Sequence, residues 1–112
     1  MNTIEWSDFE KVHLCVGTII KVEPFPEARK PAYKLWVNLG DDIGVKKSSA
    51  QITENYTLEN LINQQVVCVV NFSPRQIGPF MSEILVTGFP DDRGNILLTT
   101  VDQKVANGSR LF

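Results

Sequence analysis

The chain has 112 residues and a mass of 12.6 kDa. Single domains cluster near ~100–150 residues, so one domain spanning 1–112 is expected and a second folded unit within it is not. Hydrophobic residues make up 43% and charged residues 21%, enough apolar material for one small core and an argument against wholesale disorder. Eleven Lys and Arg face 13 Asp and Glu, a formal charge of −2 that excludes a protein coated with positive charge but leaves room for a local basic groove.

In chain order, residues 1–8 (Met1 to Asp8) are acidic and polar. No apolar run approaches the ~20 residues of a membrane span, so a soluble cytoplasmic protein without membrane insertion is expected. Leu14 to Glu23 alternates with period two and predicts a long strand, in which Gly17 marks a bulge or sharp bend. After a connection containing Pro24, Pro26 and Pro31, Tyr33 to Leu39 predicts a second strand. Gly40-Asp41-Asp42 reads as a turn and Ile43 to Ser48 as a short third strand. Ile52 to Asn63 changes to helical spacing, with Thr53 or Thr57 as N-cap and Leu58, Leu61 and Ile62 on one face. Gln65 to Phe72, apolar on both faces, predicts a central fourth strand. Ser73 to Pro79 reads as a loop, Glu83 to Phe89 as a fifth strand, Pro90 to Asn95 as a turn and Ile96 to Val101 as a further strand.

Three strands, a short helix and two strands is the order of an all-β, five-stranded OB-fold barrel, here with N- and C-terminal extensions. A small SH3-like barrel competes but usually lacks a helix at that position. The extra C-terminal strand is expected to cover an edge or to build a dimer interface. Cys15 and Cys68 lie far apart in apolar stretches, with no CxxC, and read as buried hydrophobes.

Catalysis finds little support. The single His13 is not placed in any triad or metal motif, and no GxxxxGK[ST] or GxGxxG loop exists to cradle a nucleotide. Asp91 to Asn95 is better explained as a hairpin turn than as a calcium loop, since the closing Glu of an EF-hand is missing. Neither an enzyme nor a metal or other cofactor is expected.

Charge distribution says more than net charge. Residues 1–27 carry −3, residues 28–47 carry +3 and residues 48–112 carry −2. The positive excess (Arg29, Lys30, Lys34, Lys46, Lys47) falls on the first loop and on strands two and three, which line the ligand face of an OB barrel, with Arg75 on the opposite wall. Because Leu35 and Val37 take the core side of strand two, Trp36 shares the outer face with Lys34. Such a face stacks bases and binds phosphates, holds an extended peptide, or lies in a dimer interface.

Gly17-Thr18-Ile19, Phe25-Pro26-Glu27-Ala28, Leu35 to Gly40 and Val69 to Arg75 together resemble the tRNA-binding domain family. Phe25 to Leu35, Lys47 to Thr53 and Asn107 to Phe112 look more closely like its CsaA branch. The resemblance runs from Asp8 to the last residue. It implies a non-catalytic OB-fold homodimer, a molecular chaperone that binds unfolded or precursor polypeptides and assists protein export, with the export machinery as a further implied partner and tRNA-binding capacity from the family. In the implied dimer, Trp6, Phe9 and the C-terminal strand supply buried contacts.

The chain departs from the tRNA-binding members at its walls. Their first loop reads roughly His-Pro-Asp-Ala-Asp, against Phe25-Pro26-Glu27-Ala28-Arg29 here, and their Ser-x-Gly-Met becomes Ser82-Glu83-Ile84-Leu85. Gln76 and Ile77 follow Arg75 where cations are usual, and Pro79-Phe80-Met81 adds an apolar tip. Fewer cations weaken phosphate binding, and an adaptable Met suits apolar peptide. Lys30, Lys34, Lys46, Lys47 and Arg75 are therefore assigned to electrostatic capture. Trp36, Phe80 and Met81 are assigned to apolar contact, and Ser48, Ser49, Gln51 and Ser82 to polar contact. The alternative is a structure-specific tRNA-binding protein that uses the same face.

Overall fold

A computed structural model describes residues 1–112. Its central element is β1 (Leu14–Pro24), an 11-residue strand. The first half of β1 pairs antiparallel with β4 (Gln65–Val69), and its second half with β2 (Tyr33–Asn38). Beyond β2 lies β3 (Val45–Ala50), and β7 (Leu85–Val86) completes the order β3-β2-β1-β4-β7. These five strands make a nearly closed antiparallel barrel, as the order of elements predicts.

One strand can serve two partners only by bending. The register of β1 shifts between Ile19 and Lys21, so the bulge sits at Ile20 rather than at the expected Gly17. The extra residue resets the alternation: Ile19 is fully buried, Ile20 and Lys21 are exposed, and Val22 returns to the core. Gly17 has a different task. A Cβ there would lie 2.5 Å from Val37 Cγ1, 2.7 Å from Leu39 Cδ2 and 2.9 Å from the Asn38 carbonyl. Glycine is required because β1 crosses β2 and the residues after it at backbone contact.

The other elements refine the sequence reading. The expected turn at Gly40 is a short helix, α2 (Gly40–Ile43), which delays the third strand to Val45. The helix after the third strand is a single turn, α3 (Leu58–Leu61), following α1 (Trp6–Glu10) at the N-terminus. Thr57, not Thr53, caps α3: its hydroxyl accepts the Asn60 N–H at 3.2 Å, while Asn60 Oδ1 accepts the Thr57 N–H at 3.0 Å. Leu61 plugs the barrel, and Ile62, placed beyond the helix in extended conformation, stays exposed.

The segment read as a loop, Ser73 to Pro79, contains β5 (Arg75–Ile77), which pairs with β6 (Phe80–Ser82). Gly78 at φ 56° followed by Pro79 makes the two-residue turn. The expected fifth strand divides after Val86: β7 stays on the barrel, while β8 (Gly88–Pro90) pairs with β9 (Ile96–Leu98). The turn between β8 and β9 is tied by Asp91, whose carboxylate accepts the Arg93 and Asn95 N–H groups and the Asn55 side-chain amide. These bonds, Asn55 first and Arg93 next, hold the Asp91 carboxyl below its ordinary value of 3.8, against the opposing effect of burial.

The core gathers Ile19, Leu35, Val37, Leu39, Leu61, Val66 and Cys68, all essentially without solvent contact. Cys15 and Cys68 are distant in sequence but directly opposite across β1 and β4, both free and buried. Burial, with Cys15 adding to it, pushes the Cys68 thiol up to about 12. The two behave as small core hydrophobes.

The C-terminal tail runs along the edge of β1 that β2 leaves open. Gly108 N–H donates to the Val16 carbonyl, Val16 N–H to Ser109, and Leu111 N–H to Leu14. Gly40 and Gly108, both at positive φ, pack against each other's backbone: a Cβ on Gly40 would meet the Asn107 carbonyl at 2.6 Å, and one on Gly108 the Leu39 carbonyl at 2.7 Å.

Two outcomes follow for stability. Gly17→Ala overpacks β1 against Val37 and a backbone carbonyl, and lowers unfolding stability by about 2 kcal/mol, read as a lower urea midpoint at unchanged slope. Asp91→Ala destabilises at neutral pH. Because the native pKa of Asp91 is lowered, its contribution is present above the unfolded value of 3.8 and fades as pH falls through the native one. Thermal melts of the wild type and this variant therefore converge in acid.

Candidate functional site

Alternation along β2 sends Leu35 and Val37 into the core and Lys34 and Trp36 outward, as the sequence predicts. Residues directly opposite on paired strands share a face, so the register extends this outer row on both sides. Lys21 of β1 and Lys47 of β3 flank Trp36, and Glu23 and Ser49 flank Lys34. The bulge at Ile20 is what turns Lys21 toward Trp36.

The lysines of this row lie over aromatic rings. Lys21 Nζ sits 4.5 Å from the Trp36 ring centre and 3.3 Å from the Glu23 carboxylate. Lys34 Nζ lies 5.1 Å from the Phe25 ring and 5.6 Å from Phe80, and Lys47 Nζ lies 5.2 Å from Phe80. Phe80 packs edge-on to both Phe25 (5.4 Å) and Trp36 (5.9 Å). At such sites each cation–π contact contributes about 0.5–1 kcal/mol, enough to orient a lysine and too little to immobilise it.

Phe80 is thus a buried support beneath the lysines, in a small cluster with Phe25 and Ala32, rather than an exposed contact. Met81, next to it on β6, is the exposed apolar side chain of the tip. Two other expected residues lie off this row. Ser48 is buried on the core side, its hydroxyl donating to the Ser49 carbonyl at 3.1 Å. Lys46 sits opposite Val37, on the side away from Trp36. Period two is the reason: neighbours on a strand point to opposite faces, so Lys46 and Lys47 cannot both join the row.

The remaining predicted residues meet in two grooves. One, of ≈ 980 Å³, brings Lys30, Ser49, Gln51 and Arg75 together with Arg29 and Glu27. The other, of ≈ 410 Å³, is lined by Ser49, Arg75, Ser82 and Glu83 together with the apolar Phe72, Ile84 and Leu85. Ser49 and Arg75 belong to both. The wall is held by the β6 end, where Ser82 Oγ accepts the Ser49 N–H at 3.1 Å and the Glu83 carboxylate accepts the Lys47 N–H at 3.0 Å. Lys21, Glu23 and Phe72 were not singled out from sequence. Lys21 had no signal, because its direction depends on the bulge.

The family model described as "Putative tRNA binding domain" matches residues 14–110. Over 111 residues the chain is 32% identical to the methionine–tRNA ligase of Methanocaldococcus jannaschii, covering 99% of this chain and 17% of the ligase. It therefore spans about a sixth of that enzyme's length. Two solved structures match along their whole length. The CsaA chaperone protein from Picrophilus torridus is 46% identical with a TM-score of 0.92, covering 98% of this chain and 100% of that one. Chaperone CsaA from Bacillus anthracis strain Ames is 40% identical with a TM-score of 0.92, covering 99% and 100%. With this coverage and a barrel that superposes throughout, the chain belongs to the tRNA-binding domain family, in its CsaA branch.

Proposed function

We propose that this protein is a non-catalytic, homodimeric chaperone that holds exposed segments of unfolded or precursor polypeptides for export, and does so on the Lys34–Trp36–Lys47 face and its two grooves. The observation that carries this reading is the meeting of the two grooves at Ser49 and Arg75, one rich in cations and one floored by Phe72, Ile84 and Leu85. An unfolded polypeptide presents acidic and apolar side chains along one extended backbone and matches both. A phosphate backbone matches only the first. The likeness to CsaA chaperones over the full chain supports the same choice.

In this reading Lys30, Lys34, Lys47 and Arg75 attract client carboxylates. Trp36 and Met81 supply apolar contact, and Ser49, Gln51 and Ser82 hydrogen-bond the client backbone. The second copy seats on the patch that joins both chain ends, where Ile4, Trp6, Leu111 and Phe112 are exposed beside Phe9. Two identical sites on one dimer raise avidity for a long chain. The cytoplasm, where nascent exported chains are still unfolded, is the proposed location. The family match supports a second reading, tRNA binding on the same cations.

The face is tested by alanine substitution against an unfolded client and against tRNA. Lys47→Ala and Arg75→Ala each weaken client binding about fivefold, whereas Lys46→Ala leaves it unchanged, as measured by fluorescence anisotropy. Equal loss at Lys46 would move the site off this row. If tRNA is the principal ligand, its affinity falls steeply with salt and the slope drops by about one for each cation removed. The dimer is tested by sedimentation: the wild type runs as a dimer at micromolar concentration and Trp6→Ala shifts it toward monomer.

A further inference from the structure

Of the rings on the face, Phe25 and Phe80 are buried, and Trp36 alone retains partial exposure. Phe80 packs edge-on to it at 5.9 Å, and Lys21 Nζ lies over its ring, 4.5 Å from the centre. Lys21 is itself held by the exposed ion pair to Glu23, at 3.3 Å. An exposed ion pair and an exposed cation–π contact contribute roughly 0–1 and 0.5–1 kcal/mol. The cover is therefore weak, and any carboxylate that offers Lys21 a better-placed partner outcompetes both. The row around it is charge-selective: Lys21, Lys34 and Lys47 stand against one carboxylate within the row, Glu23, and one at its wall, Glu83, which accepts the Lys47 N–H.

We propose that Lys21, Glu23 and Trp36 form a recognition element for client segments that pair an acidic residue with a large apolar or aromatic one. The client carboxylate takes Lys21 from Glu23, Lys21 swings off the indole, and the client's apolar side chain occupies the uncovered ring. In an extended chain, residues two apart lie on one side about 7 Å from each other. That spacing lets one side chain reach the ammonium while the other reaches the indole. The element thus reads an acidic residue two positions from an aromatic one. This inference rests on the polypeptide-binding reading above and adds the client's chemistry to it. Lys21 acts as a specificity-determining residue, because an uncharged segment leaves it in place over the ring.

The test uses the full-length protein labelled with 5-fluorotryptophan, in which Trp6 serves as an internal reference and Trp36→Phe assigns the resonances. The probes are an unstructured peptide of Glu-Ser-Phe repeats, its Gln-Ser-Phe counterpart and its Glu-Ser-Ser counterpart. The Glu-Ser-Phe peptide shifts the Trp36 resonance, and each counterpart binds about fivefold more weakly. Lys21→Met abolishes the preference for Glu over Gln, and Glu23→Gln strengthens binding of the acidic peptide. A merely structural role for Lys21 would alter thermal stability and leave that preference intact. The inference is overturned if the peptides bind but Lys21→Met keeps the preference, or if Trp36 does not respond. It is also overturned if single-stranded RNA, and not peptide, shifts the Trp36 resonance. If neither the acidic peptide nor any unfolded client binds the wild type, the polypeptide-binding reading fails as well.

Discussion

The barrel depends on a single strand shared between two partners. β1 gives its first half to β4 and its second half to β2, and no closed sheet forms unless it bends between them. One local device lets the strands approach and another makes the bend. Gly17 removes the atom that would strike Val37, Leu39 and the Asn38 carbonyl, and the extra residue at Ile20 turns the strand. The cost is an exposed isoleucine and a glycine inside a strand, neither of which packing alone would select.

The same bend builds the face. Without the bulge, Lys21 would fall on the opposite side from Trp36, and the outer row would contain two lysines instead of three. The hairpin of β5 and β6 then brings Phe80 beneath that row and Arg75 beside it. Support and charge come from different parts of the sequence and are joined by tertiary pairing. Holding each ammonium over a ring keeps the cations desolvated on one side and free on the other, so charge is displayed without an acidic residue beside every lysine. This is how a chain with net negative charge carries a local cationic surface.

Most strands are legible because one face is buried and period two follows from that; β4, buried on both faces, shows as a continuous apolar run instead. Leu35 and Val37 inside, Lys34 and Trp36 outside, is a pattern that burial enforces. The capped helical turn was legible for a similar local reason, although Thr57 rather than Thr53 caps it. What could not be read depends on pairing between distant segments. Gly78-Pro79 looked like loop chemistry, and only the match of Arg75 to Ser82 and Ile77 to Phe80 makes it a hairpin turn. Phe80 looked like an exposed tip because nothing in its neighbourhood reveals Phe25 and Ala32 across from it. Lys46 is a different case. Its adjacency to Lys47 on one strand puts the two on opposite faces, which a segment's net charge does not reveal.

The reciprocal fit of Gly40 and Gly108 ties the chain end to the barrel. Neither glycine accepts a side chain, because each would strike the carbonyl beside the other. The tail they seat continues through Leu111, bonded to Leu14, into Phe112 at the exposed apolar patch. The exposed patch at Phe112 is thereby positioned by the interior, and the two are linked as equilibria. A molecule bound at Phe112 and Trp6 would also hold the tail against β1, so binding there would stabilise the barrel.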